Sequence, residues 1–112
     1  MMRGDVYDAR FSPTEGSEQA GMRPVIIVSR NAINQYSPVV VVVPLTDAAN
    51  LKRTYPSDVL IYRPEGGLSL DSVALTGQVR AIAKTRLLRR RGALSSEVVE
   101  QVAKALRVTM DL

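Results

Sequence analysis

The stretch VVVVVPLT at residues 39–46 carries the strongest structural signal in the chain. Its five consecutive valines favour a β-strand over a helix, because branching at Cβ restricts χ1 and suits a packed, pleated sheet. A run so uniformly apolar predicts a strand that is buried on both faces. A second β-branched run, PVIIV at 24–28, predicts another strand, and the segment 31–38 between the two runs predicts a turn.

Three further segments extend this β pattern: residues 5–11, 59–62 and 72–82. The first alternates, with Tyr7, Ala9 and Phe11 on one face, which is typical of a half-buried strand. Gly77 within the last segment predicts a bulge or a close backbone approach. Polar residues and turn formers fill two segments that we expect to be loops: 12–22 and 46–56.

The end of the chain has helical character. Residues 84–91 are good helix formers that end at Gly92, which predicts a helix. Ser95 can cap a second helix, whose apolar residues recur at helical spacing: Val98, Val99, Val102, Ala103 and Leu106. Short strands followed by an amphipathic helix predict one mainly β domain over residues 1–112, of the α+β class. We expect a small, strongly bent antiparallel sheet or barrel with a C-terminal helix.

The composition excludes several kinds of chemistry. The 112 residues include no cysteine and no histidine, which rules out disulfides, thiolate or imidazole metal sites and Ser-His-Asp triads. We expect neither a cofactor nor a metal ion. No apolar run reaches the ~18–20 residues that span a bilayer, so we expect a soluble, cytoplasmic protein. The net charge of +4 lies wholly within residues 84–112 and favours a polyanionic partner.

Two residues beside the predicted strands could act on a phosphate group. Arg23 follows a glycine-rich loop and offers a fixed charge with a fork of N–H donors, although it could equally pair with Glu18 in an ordinary hairpin. Thr46 could hydrogen-bond a phosphate oxygen or a ribose hydroxyl, or it could stabilise the turn that follows it. The basic segment 84–91 could bind a nucleic-acid backbone or form a solvated helix face. The residues alone leave these alternatives open.

Five motifs, in order along almost the whole chain, resemble the MazF/PemK family of toxins: RGDVY at 3–7, GSEQAGMRPV at 16–25, VPLT at 43–46, GGL at 66–68, and QVRAI with KTRL at 78–87. The resemblance implies an SH3-like β-barrel with a long C-terminal helix that forms a homodimer. It also implies a sequence-specific endoribonuclease that cleaves single-stranded RNA, often messenger RNA, without a metal ion. Such enzymes leave a 2′,3′-cyclic phosphate and a 5′-hydroxyl. A cognate antitoxin inhibits them by laying an acidic, disordered tail in the substrate groove.

The resemblance also implies roles for individual residues. Arg23 and Thr46 match catalytic residues of the family: Arg23 would stabilise the pentavalent phosphate and Thr46 would orient the scissile phosphate. Glu18 is the candidate acid or base, and three further residues are implied to bind RNA: Ser17, Gln19 and Gln78. Met22 and Gly77 stand where some members carry a histidine and an acidic residue. If those residues transfer protons in such members, the proton-transfer scheme differs in this chain.

Two other functions remain open from the sequence. A gyrase poison like CcdB shares the implied fold, but it acts through a tail that bears a tryptophan. This chain has no tryptophan and ends in TMDL. A catalytically silent barrel that binds RNA or a protein partner would use the basic segment 84–91 equally well. A cleavage assay separates that alternative from an endoribonuclease.

Overall fold

The computed structural model describes residues 1–11 and 21–112. These ranges contain the following strands and helices, in chain order: β1 (Asp5–Phe11), β2 (Gly21–Ile27), α1 (Asn31–Tyr36), β3 (Val39–Asp47), β4 (Asp58–Ile61), β5 (Ser72–Leu75), β6 (Arg80–Ala83), β7 (Leu87–Ala93) and α2 (Ser96–Met110). Short 3₁₀ turns occupy four further segments: Ala48–Asn50, Glu65–Gly67, Thr76–Gln78 and Lys84–Arg86.

Strand β3 is the centre of the sheet, as its length and composition suggest. It pairs antiparallel with β6 near its start, with β2 in its middle and with β5 near its end. The strand order is β4-β5-β3-β2-β1-β7, with β6 beside β3. In the described part of the chain no pairing joins β7 to β4, so the sheet is roughly barrel-like without being closed. The predicted mainly β, α+β fold with a C-terminal helix is confirmed.

The core lies on both sides of β3. Val40 and Val42 belong to one apolar cluster, together with Phe11 of β1, whereas Val43 and Leu45 belong to a second cluster that α2 covers. All four of these β3 side chains are at most 1% exposed. Val39 is exposed and Val41 is half-buried, so the prediction of a strand buried on both faces is confirmed only from Val42 onward. Burial of a side chain of this size contributes about 1.5–3 kcal/mol.

Helix α2 follows the prediction closely. The Ser95 hydroxyl accepts a hydrogen bond from the backbone N–H of Val98 at 3.3 Å, which caps the helix. Val102 and Ala105 are buried against the sheet. The helix ends at Asp111, which has the left-handed conformation common at helix C-termini. In the described ranges no helix has the length and apolar character needed to cross a membrane.

The helix predicted over residues 84–91 is wrong, because most of this segment forms β7. Asp5 and Asp8 are buried on the neighbouring strand β1 and form ion pairs with arginines of β7. A helix would remove these arginines from the carboxylates, and a buried carboxylate without a partner is costly. Tertiary pairing with β1 therefore overrides the helix propensity of the segment.

Two smaller predictions also differ from the structure. The segment 31–38 contains the helix α1, in which the buried Asn34 amide donates to the backbone carbonyl of Ser29 at 2.8 Å. Gly77 does not lie in a bulge. It belongs to the turn Thr76–Gln78, which divides the predicted strand 72–82 into β5 and β6.

Candidate active-site cleft

A cleft of about 220 Å³ lies where β2 begins and β3 ends. Its polar lining includes residues from four separate parts of the chain: Arg23, Thr46, Asn50, Ser69, Ser72 and Arg91. The register between β2 and β3 explains how two of them meet. Val25 pairs with Pro44, and the same antiparallel register continued by two residues on each strand brings Arg23 across from Thr46. The two principal candidates from the sequence therefore line one cleft.

Arg23 is half-buried at this edge of the sheet. Its Nη2 donates to the backbone carbonyl of Leu45 at 3.2 Å, which fixes the guanidinium at the end of β3. Within residues 1–11 and 21–112, no carboxylate forms a salt bridge with it. Glu18, the alternative partner considered from the sequence, lies outside the described residues.

Burial lowers the pKa of Arg23 below its ordinary value, because a less polar environment disfavours the charged form. This lowered pKa also changes the free energy of folding. When the folded pKa lies below the unfolded one, the charged group opposes folding at every pH below the folded pKa, including neutral pH. This cost is relieved as the pH rises through the folded pKa. An anionic ligand in the cleft would offset the same cost at neutral pH.

Thr46 is 8% exposed and lies on β3, where it pairs with Val73 of β5. Its hydroxyl is 3.5 Å from the side-chain amide nitrogen of Asn50, which is a weak hydrogen bond. The turn that follows is stabilised by a different residue: Asp47 Oδ1 accepts from the backbone N–H of Ala49 at 2.9 Å. Asp47 is therefore the cap of this turn, and Thr46 contacts the turn only through its weak hydrogen bond with Asn50.

Arg91 is a cleft residue that the sequence named only as one of the basic residues of segment 84–91. It lies on β7, where Nη1 is 3.4 Å from Asp8 Oδ1 and Nη2 donates to Ser69 Oγ at 3.2 Å. Asp8 also accepts from Arg89 at 3.1 Å, so one carboxylate holds two guanidinium groups. The helix predicted for this segment would not place Arg89 and Arg91 beside Asp8, so the sequence did not predict this arrangement. Strand alternation would have put Arg89 and Arg91 on one face and Arg90 on the other.

Other predicted site residues lie elsewhere. Gln78 is exposed in the turn Thr76–Gln78 and is not among the described residues that line the cleft. Three predicted residues lie outside the described part of the chain: Ser17, Glu18 and Gln19. Met22 lines the cleft and is 65% exposed. In residues 1–11 and 21–112, no group of three or more acidic, histidine or cysteine side chains could hold a metal ion.

Known proteins are similar to this chain along almost its whole length. The family model for PemK-like, MazF-like toxins of type II toxin–antitoxin systems matches residues 2–110. The chain belongs to this family. The resemblance that the sequence motifs carried is thereby confirmed.

Relatives of this MazF-like toxin are enzymes by name. Endoribonuclease MazF of Staphylococcus epidermidis is 42% identical over 112 residues, which cover 100% of this chain and 92% of the relative. Endoribonuclease MazF of Staphylococcus saprophyticus is 40% identical over the same lengths. A solved endoribonuclease in complex with its cognate antitoxin, from Mycobacterial species, matches with a TM-score of 0.82 at 25% identity. That match covers 100% of this chain and 96% of the solved one.

Proposed function

We propose that this MazF-like toxin is a sequence-specific endoribonuclease that cleaves single-stranded RNA, messenger RNA among it, without a metal ion. The observation that carries the proposal is the meeting of Arg23 and Thr46 in one cleft beside a second cation, Arg91. Two relatives at 42% and 40% identity that are named endoribonucleases support it. The products would be a 2′,3′-cyclic phosphate and a 5′-hydroxyl.

The reaction is an internal transesterification. The ribose 2′-hydroxyl loses its proton, its oxygen bonds to the adjacent phosphorus, and the bond from phosphorus to the 5′-oxygen breaks as that oxygen gains a proton. Negative charge builds on the non-bridging oxygens in between. Arg23 is the group that meets this charge, because it is cationic, half-buried and fixed by the Leu45 carbonyl. Donors arranged in advance in this way contribute about 3–4 kcal/mol each to lowering the barrier.

Thr46 and four further residues complete the proposed site. The buried Thr46 hydroxyl holds the scissile phosphate in line for attack. Glu18 is the candidate acid or base, since an adjacent RNA phosphate would raise the pKa of its carboxyl above the usual ~4.3. Ser17, Gln19 and Gln78 bind the RNA, and the amides suit base edges.

The proposal includes the partners of the chain. A cognate MazE-like antitoxin would place an acidic C-terminal tail against the cationic cleft, and the solved endoribonuclease–antitoxin complex of the same fold supports such a partner. The active form would be a cytoplasmic homodimer in which residues 1–112 make one domain. A gyrase poison is not favoured, because the family model that matches is that of the MazF-like toxins.

The experiment that tests the proposal is RNA cleavage in the presence of excess EDTA. Purified protein is incubated with long single-stranded RNAs that together contain all short sequence motifs, and the new ends are mapped by primer extension. We expect cuts at one short motif, with cyclic-phosphate ends. A folded dimer that cuts none of these RNAs would overturn the proposal and favour a silent RNA- or partner-binding barrel. Cutting that requires an added metal ion would overturn the metal-independent mechanism.

A further inference from the structure

We propose that Arg91 is a second phosphate-binding residue of the cleft and that Asp8 positions it there. This inference rests on the proposed endoribonuclease function, because it assigns to Arg91 the RNA phosphate next to the one that is cleaved. Arg91 and Arg23 line the same cleft from different strands, β7 and β2. An RNA strand whose scissile phosphate lies at Arg23 carries its next phosphate one nucleotide away.

The Arg91 guanidinium is held from two sides. Asp8 Oδ1 lies 3.4 Å from Nη1, and Ser69 Oγ accepts from Nη2 at 3.2 Å. The side chain is 18% exposed, so it is packed rather than free in solvent. These contacts within the described chain use two of the five N–H donors of an arginine, which leaves donors for a ligand. A guanidinium fixed in this way loses little conformational entropy when it binds phosphate.

The charges around Arg91 do not cancel. The single carboxylate of Asp8 pairs with both Arg91 and Arg89, so this group of three keeps a net positive charge. Arg23 adds a second positive charge to the cleft. Asp47 is the acidic residue among the described lining residues, and its carboxylate accepts the backbone N–H of Ala49. With Asp47 counted, these five side chains keep a net positive charge, so the cleft favours an anionic ligand.

The neighbouring arginine shows what a purely structural pair looks like. Arg90 lies next to Arg91 on β7 and pairs with the buried Asp5 at 3.3 Å. That pair joins one carboxylate to one guanidinium, so its formal charges cancel, and neither residue is among those lining the cleft. Arg90→Ala therefore removes an ion pair to a buried β1 carboxylate, as Arg91→Ala does, without touching the cleft. It is the matched control.

The test compares these two variants on a short single-stranded RNA that contains the mapped cleavage motif. For Arg91→Ala we expect KM to rise about tenfold, the effect of losing one charge-assisted contact, while kcat changes by less than about threefold. Binding is measured with the same RNA carrying a 2′-deoxy sugar at the cut position. The slope of log Kd against log salt concentration should fall by about 0.7, the value for one single-strand phosphate contact. Arg90→Ala should leave KM and slope unchanged.

The positioning role of Asp8 is tested in combination with Arg91. Asp8→Asn keeps the shape of the side chain and should raise KM by a smaller factor than Arg91→Ala. The same change made in the Arg91→Ala background should have no further effect on KM, because Asp8 acts through Arg91. An equal effect of Asp8→Asn in both backgrounds would overturn the positioning role. Thermal unfolding checks that each variant is folded, and Arg91→Gln or Arg90→Gln replaces the alanine variant at the same position if that variant is not.

The outcomes separate this inference from the proposed function. If the wild-type protein cleaves RNA but Arg91→Ala and Arg90→Ala have the same KM and salt slope, Arg91 is not a phosphate contact and only this inference fails. If the folded wild-type protein cleaves no RNA, the proposed function is wrong, and this inference is wrong as well because it rests on that function. A selective rise in KM and loss of slope in Arg91→Ala supports both.

Discussion

Two concave regions on the described part of the chain differ in character, and the larger of the two is the less suited to chemistry on phosphate. A groove of about 350 Å³ lies between α2 and β4, whereas the cleft around Arg23 has about 220 Å³. The groove is lined mainly by apolar residues such as Val59, Leu60 and Val108, and its two charged residues, Asp58 and Lys104, have opposite signs. The candidate active site is therefore distinguished by converging hydrogen-bond donors with a surplus of positive charge, and not by the volume of the cavity.

The physical difference lies in how each region is built. The groove forms where one helix lies along the edge strand of the sheet, so its lining repeats the apolar faces of those two elements. The cleft forms where strand ends and turns from distant parts of the chain meet. Polar groups at such ends are held by the buried sheet behind them, and a rigid scaffold of this kind can aim fixed charges at a substrate.

The largest difference between the two regions is expected from Arg23→Ala in the cleft. We expect the cleavage rate to fall by about 10³-fold, because the main donor to the developing phosphate charge is lost. The melting temperature should stay equal to that of the wild type or rise, since a half-buried cation that opposes folding at neutral pH is removed. A fluorogenic RNA assay and thermal unfolding measure the two quantities. A folded Arg23→Ala protein that cuts at the wild-type rate would refute the assignment.

A smaller effect is expected from Thr46→Val, which removes the hydroxyl and keeps the shape of the side chain. The cleavage rate should fall by about 10²-fold, the lower range for losing one positioned polar contact in an active site. Thr46→Ser, which restores the hydroxyl, should recover most of the rate. The melting temperature should change little in both variants, because Asp47 caps the adjacent turn. Equal activity of the serine and valine variants would mean that the hydroxyl has no part in cleavage.

The smallest effect is expected from Lys104→Ala in the larger groove. This variant removes a cation of the groove, as Arg23→Ala does in the cleft, so it serves as the control for lost positive charge. Cleavage and KM should remain within about twofold of the wild-type values, since Lys104 is an exposed residue outside the cleft. They are measured in the same fluorogenic assay. A loss as large as that of Arg23→Ala would move the candidate site to the α2–β4 groove.

The parts of the fold that were predicted correctly have local signals. Residues 39–43 are β-branched throughout, and α2 combines the Ser95 cap with apolar residues at helical spacing. Strand β7 was missed because its partners are distant in sequence: Arg89 and Asp8 are 81 residues apart. Helix propensity is a property of a short segment, whereas the stabilisation of β7 depends on buried carboxylates of another strand.

The candidate site also has a part that the sequence predicts and a part that depends on contacts between distant segments. Arg23 and Thr46 could be proposed one by one from residue type, motif and position beside a strand. Their common cleft follows from the β2–β3 register, with Val25 opposite Pro44. Arg91 could be proposed only as one of the basic residues of segment 84–91, because a helix puts different residues on a shared face than a strand does.

Three properties follow from the amino-acid sequence alone: which chemical groups are available, that strands outnumber helices, and which family the chain belongs to. A chain without histidine and cysteine must stabilise charge with groups such as arginine and hydroxyl side chains. Which of the fifteen cationic side chains lie together in the cleft depends on strand pairing, and that pairing is seen only in the tertiary structure. The physical reason is that composition and periodicity act over a few residues. The choice of partners for buried charges is instead made by the pairing of distant strands, where leaving a charge unpaired costs the most.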